Sequence, residues 1–244
     1  MLLKVRRLSK LFGGVTAIRD LSFELNRGEI LGLIGPNGCG KTTLFNLVSG
    51  FLKPNKGEIL FEGKDITHIK PYMACQMGIA RTFQLVKPFA GLTTLENVIV
   101  GRLYGSDPTR NINQGRKEAE EILDFIGFAD RRDMSAGKLG LVDRKTLELG
   151  RALATRPKLL LLDEIMAGLN SVEIEATMRL IQKIKDSGVT IILVEHLMKA
   201  LLGMSDRIIV LNAGEKIATG TPKEIVSDPQ VIQAYLGKTI HARN

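Results

Sequence analysis

Short apolar runs recur along the chain, and charged residues or glycines bound each of them. Three of the runs are almost continuously apolar, which is the pattern of strands that are covered on both faces. We therefore predict strands at residues 29–35, 57–63, 158–163, 189–194 and 206–212.

Segments with helical periodicity lie between these runs. Residues 41–50 carry apolar side chains at helical spacing and close with a glycine. A second segment begins with Asn170 and Glu173, spaced as in a capping box, and stops at Gly188. Such alternation of strands and helices predicts an α/β fold with a mainly parallel sheet and helices on its faces.

Residues 85–155 depart from the alternating pattern. They are biased toward helix and contain a loop rich in Gly, Asn and Pro at 105–115. We interpret them as a helical subdomain inserted into an α/β core, with the whole chain forming a single domain. The predicted core consists of residues 1–84 and 156–244.

The composition of the chain limits the classes of partner that it can bind. The chain has 244 residues, enough for a sizeable core, and 25 glycines suit an α/β protein with tight turns. A net charge of +8 admits nucleic acid, phosphate ligands or an anionic membrane surface. Because Lys and Arg are spread along the chain without a long run, the charge favours a solvated surface. We expect no nucleic-acid partner.

Cysteines and apolar runs bear on the location. Two cysteines are too few for a disulfide framework. Residues 1–10 lack the apolar core of a signal peptide. The longest apolar runs are far shorter than the roughly 18 residues that span a bilayer. We expect a soluble, cytoplasmic protein.

A phosphate-binding motif extends from Gly35 to Thr42. "GPNGCGKT" fits G-x-x-x-x-G-K-[ST] at every fixed position, follows a predicted strand and opens a predicted helix. Glycines let backbone N–H groups turn toward phosphates, and the helix N-terminus adds a positive dipole end. Lys41 would reach the β- and γ-phosphates, and the Thr42 hydroxyl would ligate Mg²⁺. The alternative, a glycine turn before an ordinary helix, does not account for the full motif.

Two acids narrow the class of phosphate-loop protein. The apolar run "LLLLDE" ends in Asp163, which can hold Mg²⁺ through water, and Glu164, which can polarise an attacking water. A solvated turn is the alternative for two adjacent acids. A GTPase would need N-K-x-D, and the nearest match, "NKGE" at 55–58, has the wrong final residue. A small-molecule kinase remains possible on the phosphate loop alone.

With these motifs in place, the sequence resembles the ATP-binding subunits of ABC transporters over essentially its whole length. The matching motifs come in the family's order: "FGGVTAIRDLSFEL", "GPNGCGKTT", "RTFQ", "LLLLDE", "AGLN" and "VEH". The resemblance implies a P-loop NTPase core, with a mainly parallel sheet and an antiparallel β portion, plus the inserted helical subdomain. It also implies ATP and Mg²⁺ as ligands.

The resemblance implies a role for each matched residue. Phe12 would stack on adenine, Gln84 would sense Mg²⁺ and water, and His196 would lie near the γ-phosphate. Taken alone, Phe12 and His196 would be structural residues. The implied catalytic residues are Glu164, His196 and Lys41, and the implied metal ligands are Thr42, Gln84 and Asp163. The implied nucleotide-binding residues are Phe12, Ala17, Asn37, Gly38, Cys39, Gly40, Lys41, Thr42, Thr43 and Gln84.

One family motif is altered. The signature L-S-G-G-Q begins a helix whose N-terminus holds the γ-phosphate of ATP on the opposite subunit. Aligned without a gap from "RALA", this chain has Leu139 in the first place and then Gly140, Leu141, Val142 and Asp143. The alternative, "MSAGK" at 134–138, needs extra residues before the helix.

The alteration removes a serine hydroxyl but leaves the helix dipole and its free N–H groups. We expect Asp143 to cap this helix, with Arg144 and Lys145 offsetting its charge. The expected result is intact ATP binding with a weakened contribution to the partner's site.

Finer features, such as "GIARTFQ", "LTTLENV" and "GEKIATGTPKEIVSDP", resemble the branched-chain amino acid importer group. The implied function is an ATP-hydrolysing subunit powering an importer of such amino acids, peripheral at the inner face of the cell membrane. Its implied partners are a second ABC ATPase subunit, identical or different, and membrane permease subunits. The alternatives are a lipid or lipopolysaccharide exporter ATPase and a soluble ABC ATPase not coupled to transport.

Overall fold

The structure is a computed structural model that describes residues 1–84 and 86–240. The predicted subdomain boundary at residue 85 therefore lies outside the described residues. The strands are β1 (Leu3–Phe12), β2 (Val15–Leu25), β3 (Ile30–Ile34), β4 (Lys56–Phe61), β5 (Lys64–Asp65), β6 (Ile79–Arg81), β7 (Leu159–Asp163), β8 (Thr190–Val194), β9 (Arg207–Asn212) and β10 (Glu215–Gly220). The helices are α1 (Lys41–Val48), α2 (Pro71–Gln76), α3 (Thr94–Tyr104), α4 (Ile112–Phe125), α5 (Leu141–Ala154), α6 (Ser171–Asp186), α7 (Met198–Met204), α8 (Pro222–Ser227) and α9 (Pro229–Ile240).

The chain divides into two compact units. The first contains Met1–Pro71 and the chain from Lys185 on, and the second contains Tyr72–Ile184. The predicted helical subdomain, residues 85–155, falls within the second unit. The subdomain boundaries themselves stay a prediction.

An antiparallel sheet in the first unit has the strand order β2-β1-β4-β5. The long β1–β2 pair extends from Leu3 opposite Leu25 to Phe12 opposite Val15. Register shifts interrupt this pair, so its inward-facing residues do not keep a strict period of two. This irregularity explains why the apolar pattern did not predict these two strands.

The first unit also contains the strands β10-β9-β3-β8 in that order. β3 is parallel to both β8 and β9, and β10 is antiparallel to β9. Every residue of β3 and β8 is buried. Their continuous apolar sequences follow from this burial, because both faces of each strand are covered.

In the second unit, β6 is parallel to β7, with Ile79 opposite Leu159. Helices α3, α4 and α5 pack around a core that includes Val98, Leu123 and Leu147. Each such fully buried side chain contributes about 2 kcal/mol.

The fold class is confirmed: parallel strands, an antiparallel sheet and flanking helices are all present. Strands occur at each predicted apolar run. The predicted capping box before α6 is also present. The Glu173 N–H donates to Oδ1 of Asn170 over 3.0 Å, and the Asn170 N–H donates to Oε2 of Glu173 over 2.8 Å. Among the residues that the structure describes, no helix combines the length and apolar character that crossing a membrane requires.

Candidate functional site

A phosphate-binding loop joins β3 to α1 in the first unit. Gly35, Gly38 and Gly40 all have positive φ, at 150°, 80° and 109°. A Cβ on Gly35 would lie 2.1 Å from the Leu211 carbonyl oxygen, and one on Gly40 would lie 2.5 Å from that of Ala17. Only glycine satisfies both the backbone conformation and the close approach at these two positions. The geometry of the loop therefore requires the glycines of the motif at these two positions.

The side chain of Lys41 turns back into this loop. Its ammonium donates to the Gly35 carbonyl over 2.7 Å and to the Pro36 carbonyl over 3.2 Å. The Sγ atom of Cys39 lies 3.7 Å from the same nitrogen. Lys41 is only 8% exposed, so the loop holds a positive charge with little solvent around it. Such a charge attracts an anion strongly.

The start of α1 adds to the anion-binding character of the loop. The helix begins after Gly40, which has no side chain with which to cap the first backbone N–H groups. These groups and the helix dipole suit a phosphate. The loop therefore fits the polyphosphate of a nucleotide.

The remaining predicted loop residues differ in exposure. Asn37, Gly38 and Thr42 are exposed, Thr43 is half-buried, and Cys39 is buried. The exposed Thr42 hydroxyl is a hard oxygen ligand of the kind that Mg²⁺ prefers.

Phe12 lies at the end of β1, where the hairpin turns into β2. Its ring is 46% exposed, and the Lys10 ammonium lies 5.0 Å from the ring centroid. The exposure excludes a core position, which was the alternative for an isolated aromatic residue. Ala17, on β2, is half-buried, and its carbonyl faces Gly40. In the first unit, the β1–β2 pair thus carries the exposed Phe12 ring. The backbone of β2 in the same pair lies against the phosphate loop.

His196 also belongs to the first unit. It follows the end of β8 and is exposed, whereas Glu195 beside it is buried. The predicted position of His196 near the γ-phosphate stays a prediction.

The second unit holds the predicted acids. Asp163 is the last residue of β7, and its Oδ2 accepts a hydrogen bond from the Arg81 guanidinium over 2.9 Å. Both side chains are buried, at 7% exposed for Arg81 and 6% for Asp163. The sequence did not identify Arg81, although it begins the "RTFQ" motif. The pairing arises because Arg81 ends β6, the parallel neighbour of β7.

Glu164 has a positive φ of 51°, which is uncommon for a residue with a side chain. Residues held in this conformation cost about 1–3 kcal/mol and cluster at functional sites. The Gln84 side chain donates from Nε2 to Oε2 of Glu164 over 2.8 Å. The structure thus brings together two predicted site residues, Gln84 and Glu164, within the second unit.

Two residues of α5, Lys145 and Glu148, hold the segments beside Gln84 and Glu164. The sequence did not single out Glu148, and it predicted a different role for Lys145. Lys145 donates to the carbonyls of Ile165 and Ala167. Oε1 of Glu148 accepts from the Phe83 N–H over 2.9 Å. Burial raises the pKa of Glu148, opposed by the bond from Phe83 and by the charges of Arg151 and Lys145. The only signal for these two residues in the sequence is that both are charged and lie on a helix, because charged residues are rarely buried unless they are paired.

The altered signature lies at the N-terminus of α5. The helix begins at Leu141 with Gly140 at the N-cap, so the prediction that Asp143 caps it is wrong. Asp143 lies within the first turn, where its charge suits the helix dipole. The prediction that Arg144 and Lys145 offset this charge is also wrong, because Arg131 forms the ion pair with Asp143.

The side chains of the two residues expected to offset Asp143 are engaged elsewhere. Arg144 donates to the Gly137 carbonyl over 3.1 Å, and Lys145 binds the carbonyls after Glu164. The start of α5 immediately after Gly140 fits the ungapped alignment.

Comparison with known proteins identifies the family in which the phosphate loop, the strand-end acids and the helix after the altered signature occur together. The family model described as ABC transporter matches residues 18–167, which is more than half of the chain. The chain belongs to the ABC transporter ATPase family. A second model, described as branched-chain amino acid ATP-binding cassette transporter, matches residues 215–241 of this ABC ATPase.

Curated relatives align along nearly the whole cassette. The high-affinity branched-chain amino acid transport ATP-binding protein LivG of Salmonella typhimurium is 39% identical, with 97% of this chain and 98% of LivG covered. LivG of Escherichia coli strain K12 gives the same values. BraF of Pseudomonas aeruginosa, described in the same words, is 36% identical over 97% of this chain and 98% of its own length.

Solved structures agree with the family assignment. A nucleotide-free ATP-binding cassette from an ABC transporter superposes with a TM-score of 0.87 at 33% identity, covering 96% of this chain and 98% of that chain. The ADP conformation of an ATP-binding cassette of an ABC transporter also gives 0.87 at 33% identity, with 97% and 98% covered. This chain is an ATP-binding, ATP-hydrolysing transporter subunit.

Proposed function

We propose that this cassette hydrolyses ATP to drive the import of branched-chain or related amino acids. The phosphate loop is the main support for ATP hydrolysis, because its backbone and the Lys41 ammonium form an anion-binding site with little solvent. The relatives' names and the model that matches residues 215–241 support the choice of amino acids.

Within this proposal, the first unit binds the nucleotide. Lys41 and the N–H groups of residues 37–43 bind the phosphates, and the Phe12 ring stacks on the adenine with the Ala17 backbone beside it. Stacking of a base on an aromatic ring is worth about 1–3 kcal/mol.

Thr42 in the first unit and Asp163 in the second each offer a hard oxygen donor of the kind that Mg²⁺ prefers, and this ion is commonly held by one or two protein oxygens together with substrate phosphates and water. Gln84 would offer its amide oxygen, since its Nε2 donates to Glu164. When bound, Mg²⁺ neutralises charge that develops on the phosphates.

Glu164 orients and polarises the attacking water in the proposed reaction. Its carboxylate is suited to this role because Gln84 fixes one oxygen and the unusual backbone fixes the direction of the side chain. The proton that water loses passes to Glu164, and His196 and Lys41 stabilise the negative charge on the γ-phosphate.

The partners in this proposal are a second ATPase subunit and two membrane permease subunits. The chain itself would lie at the inner face of the cell membrane. No nucleic-acid partner is included, since the positive charge is distributed along the whole chain.

The Glu164→Gln variant tests the catalytic assignment. The amide has nearly the same shape but cannot take the proton from water, so turnover should fall by at least a hundredfold while ATP binding stays unchanged. Steady-state phosphate release and equilibrium ATP binding are the measurements, made with co-purifying membrane proteins present. Equal turnover in variant and wild type would exclude Glu164 as the base.

Reconstitution tests the transport assignment. The ABC ATPase and its co-purifying membrane proteins are placed in vesicles, and uptake of radiolabelled leucine, isoleucine and valine is followed with ATP on the ATPase side. ATP-dependent uptake that Glu164→Gln abolishes is expected. ATP-dependent export of lipid with no amino-acid uptake would replace the importer assignment with the exporter alternative.

A further inference from the structure

Helix α5 carries a lysine whose charge is directed at the loop that follows Glu164. Lys145 is 7% exposed, and its ammonium donates to the Ile165 carbonyl over 2.9 Å and to the Ala167 carbonyl over 2.5 Å. These carbonyls belong to the first and third residues after Glu164. Burying an ammonium is costly unless it is well bonded, so the position of this loop and the position of Lys145 depend on each other.

The loop itself is a tight turn. The Ala167 N–H donates back to the Glu164 carbonyl over 3.2 Å, and Glu164 has the positive φ of 51°. A residue in this conformation needs support from the surrounding structure. The two bonds from Lys145 provide support on the side of the turn that follows Glu164.

The same helix also binds the segment that precedes Gln84. Glu148 lies one helical turn beyond Lys145, so the two side chains project from the same face. Its Oε1 accepts from the Phe83 N–H over 2.9 Å. Gln84, the next residue, donates to Glu164. One face of α5 therefore binds both segments whose side chains meet in the Gln84–Glu164 hydrogen bond.

We propose that Lys145 is a positioning residue for hydrolysis, which holds the turn after Glu164 so that this carboxylate points at the attacking water. The inference rests on the proposed role of Glu164 as the base. Lys145 acts through the backbone of Ile165 and Ala167 and does not touch the nucleotide in this proposal. Glu148 supports the Gln84 side of the same pair.

Three substitutions test the inference in the full-length chain with its co-purifying membrane proteins. Lys145→Met keeps the length of the side chain and removes the hydrogen-bond donors. We expect it to lower kcat about tenfold and to leave KM for ATP within twofold of the wild type. The reason is that a displaced catalytic group slows the reaction without weakening binding. Lys145→Gln keeps a donor and should give an intermediate kcat. Lys145→Arg keeps the positive charge and should retain most of the wild-type kcat.

A matched control comes from the same unit. Lys183 also donates its ammonium to a backbone carbonyl, that of Phe125, over 2.9 Å. Its bond lies away from the turn after Glu164, so Lys183→Met should leave kcat within twofold. Thermal unfolding of every variant separates a positioning effect from general destabilisation. If Lys145→Met fails to fold, the inference is tested by comparing the kcat of Lys145→Gln with the kcat of Lys145→Arg.

The outcomes separate this inference from the proposed function. If Glu164→Gln abolishes turnover while Lys145→Met and Lys145→Gln both keep the kcat of the wild type, the inference is wrong and the catalytic assignment stands. If Glu164→Gln retains full turnover, the catalytic assignment itself is wrong. Equal kcat in Lys145→Arg and Lys145→Met, both lowered, would also overturn the inference, since charge would then not matter.

Discussion

Gln84 donates a hydrogen bond to Glu164 over 2.8 Å between residues that are 80 positions apart in sequence. The bond fixes one carboxylate oxygen to the segment that follows β6. The direction of Glu164 therefore depends on an amide from a different part of the second unit as well as on its own turn.

Removing that amide should slow turnover. We expect Gln84→Ala to lower kcat about tenfold, because the carboxylate loses an orienting donor, and to leave ATP binding within about threefold. Steady-state phosphate release and equilibrium binding are the measurements.

Gln114 provides the matched control for this prediction. It makes the same kind of bond, from Nε2 to Oε1 of Glu118 over 2.9 Å, on α4. Gln114→Ala should leave kcat unchanged. If both alanine variants lower kcat equally, the Gln84–Glu164 bond has no special role in turnover.

The buried Arg81–Asp163 pair should matter for stability. Arg81→Met leaves the Asp163 carboxylate buried without its ion pair, and we expect the free energy of unfolding to fall by about 3 kcal/mol. Chemical denaturation measures the change. Arg6→Met serves as the comparison, because the Arg6–Glu58 pair is exposed and should be worth less than about 1 kcal/mol. A loss no larger for Arg81→Met than for Arg6→Met would show that Asp163 is relieved in another way.

Glu148 should make stability depend on pH. Its pKa is raised above its ordinary value of 4.5, chiefly by burial. A group with a raised pKa in the folded state contributes most below its unfolded pKa, and the contribution is lost as pH rises through the folded pKa. The unfolding free energy of Glu148→Gln should therefore rise relative to that of the wild type as pH increases from about 4 to about 8.

Glu96→Gln is the control of opposite sign. Hydrogen bonds from the Thr93 backbone and side chain lower the pKa of Glu96 below 4.5. Its carboxylate therefore stabilises the fold above that pH, and the contribution is lost on acidification. Relative to the wild type, Glu96→Gln should lose stability as pH rises toward 4.5. Parallel pH profiles for the two variants, read from thermal unfolding, would contradict the assignment for Glu148.

The parts of the fold that the sequence predicts are those with continuous or periodic burial. β3, β7 and β8 are buried at every residue, so each appears as an uninterrupted apolar run. β1 alternates only in part and contains register shifts, so its pattern resembles that of a loop. Local regularity, more than overall hydrophobicity, decided which strands could be predicted.

The candidate site divides in a similar way. The phosphate loop can be predicted because its glycines, Lys41 and Thr42 are close together and their spacing is fixed by one turn. Arg81 meets Asp163 from 82 positions away, and Lys145 reaches Ile165 from 20. Those partners follow from strand pairing and helix packing, which a single sequence does not specify.

The exposed ring of Phe12 offers a practical means of watching the nucleotide arrive. The chain contains no tryptophan. A Phe12→Trp variant would therefore hold a lone indole at the end of the β1–β2 hairpin, in a position that is already partly open to solvent. Stacking of a purine on that indole would change its fluorescence without an added label. The hairpin thus supplies an optical reporter of nucleotide binding, against which every variant discussed above can be calibrated before its turnover is measured.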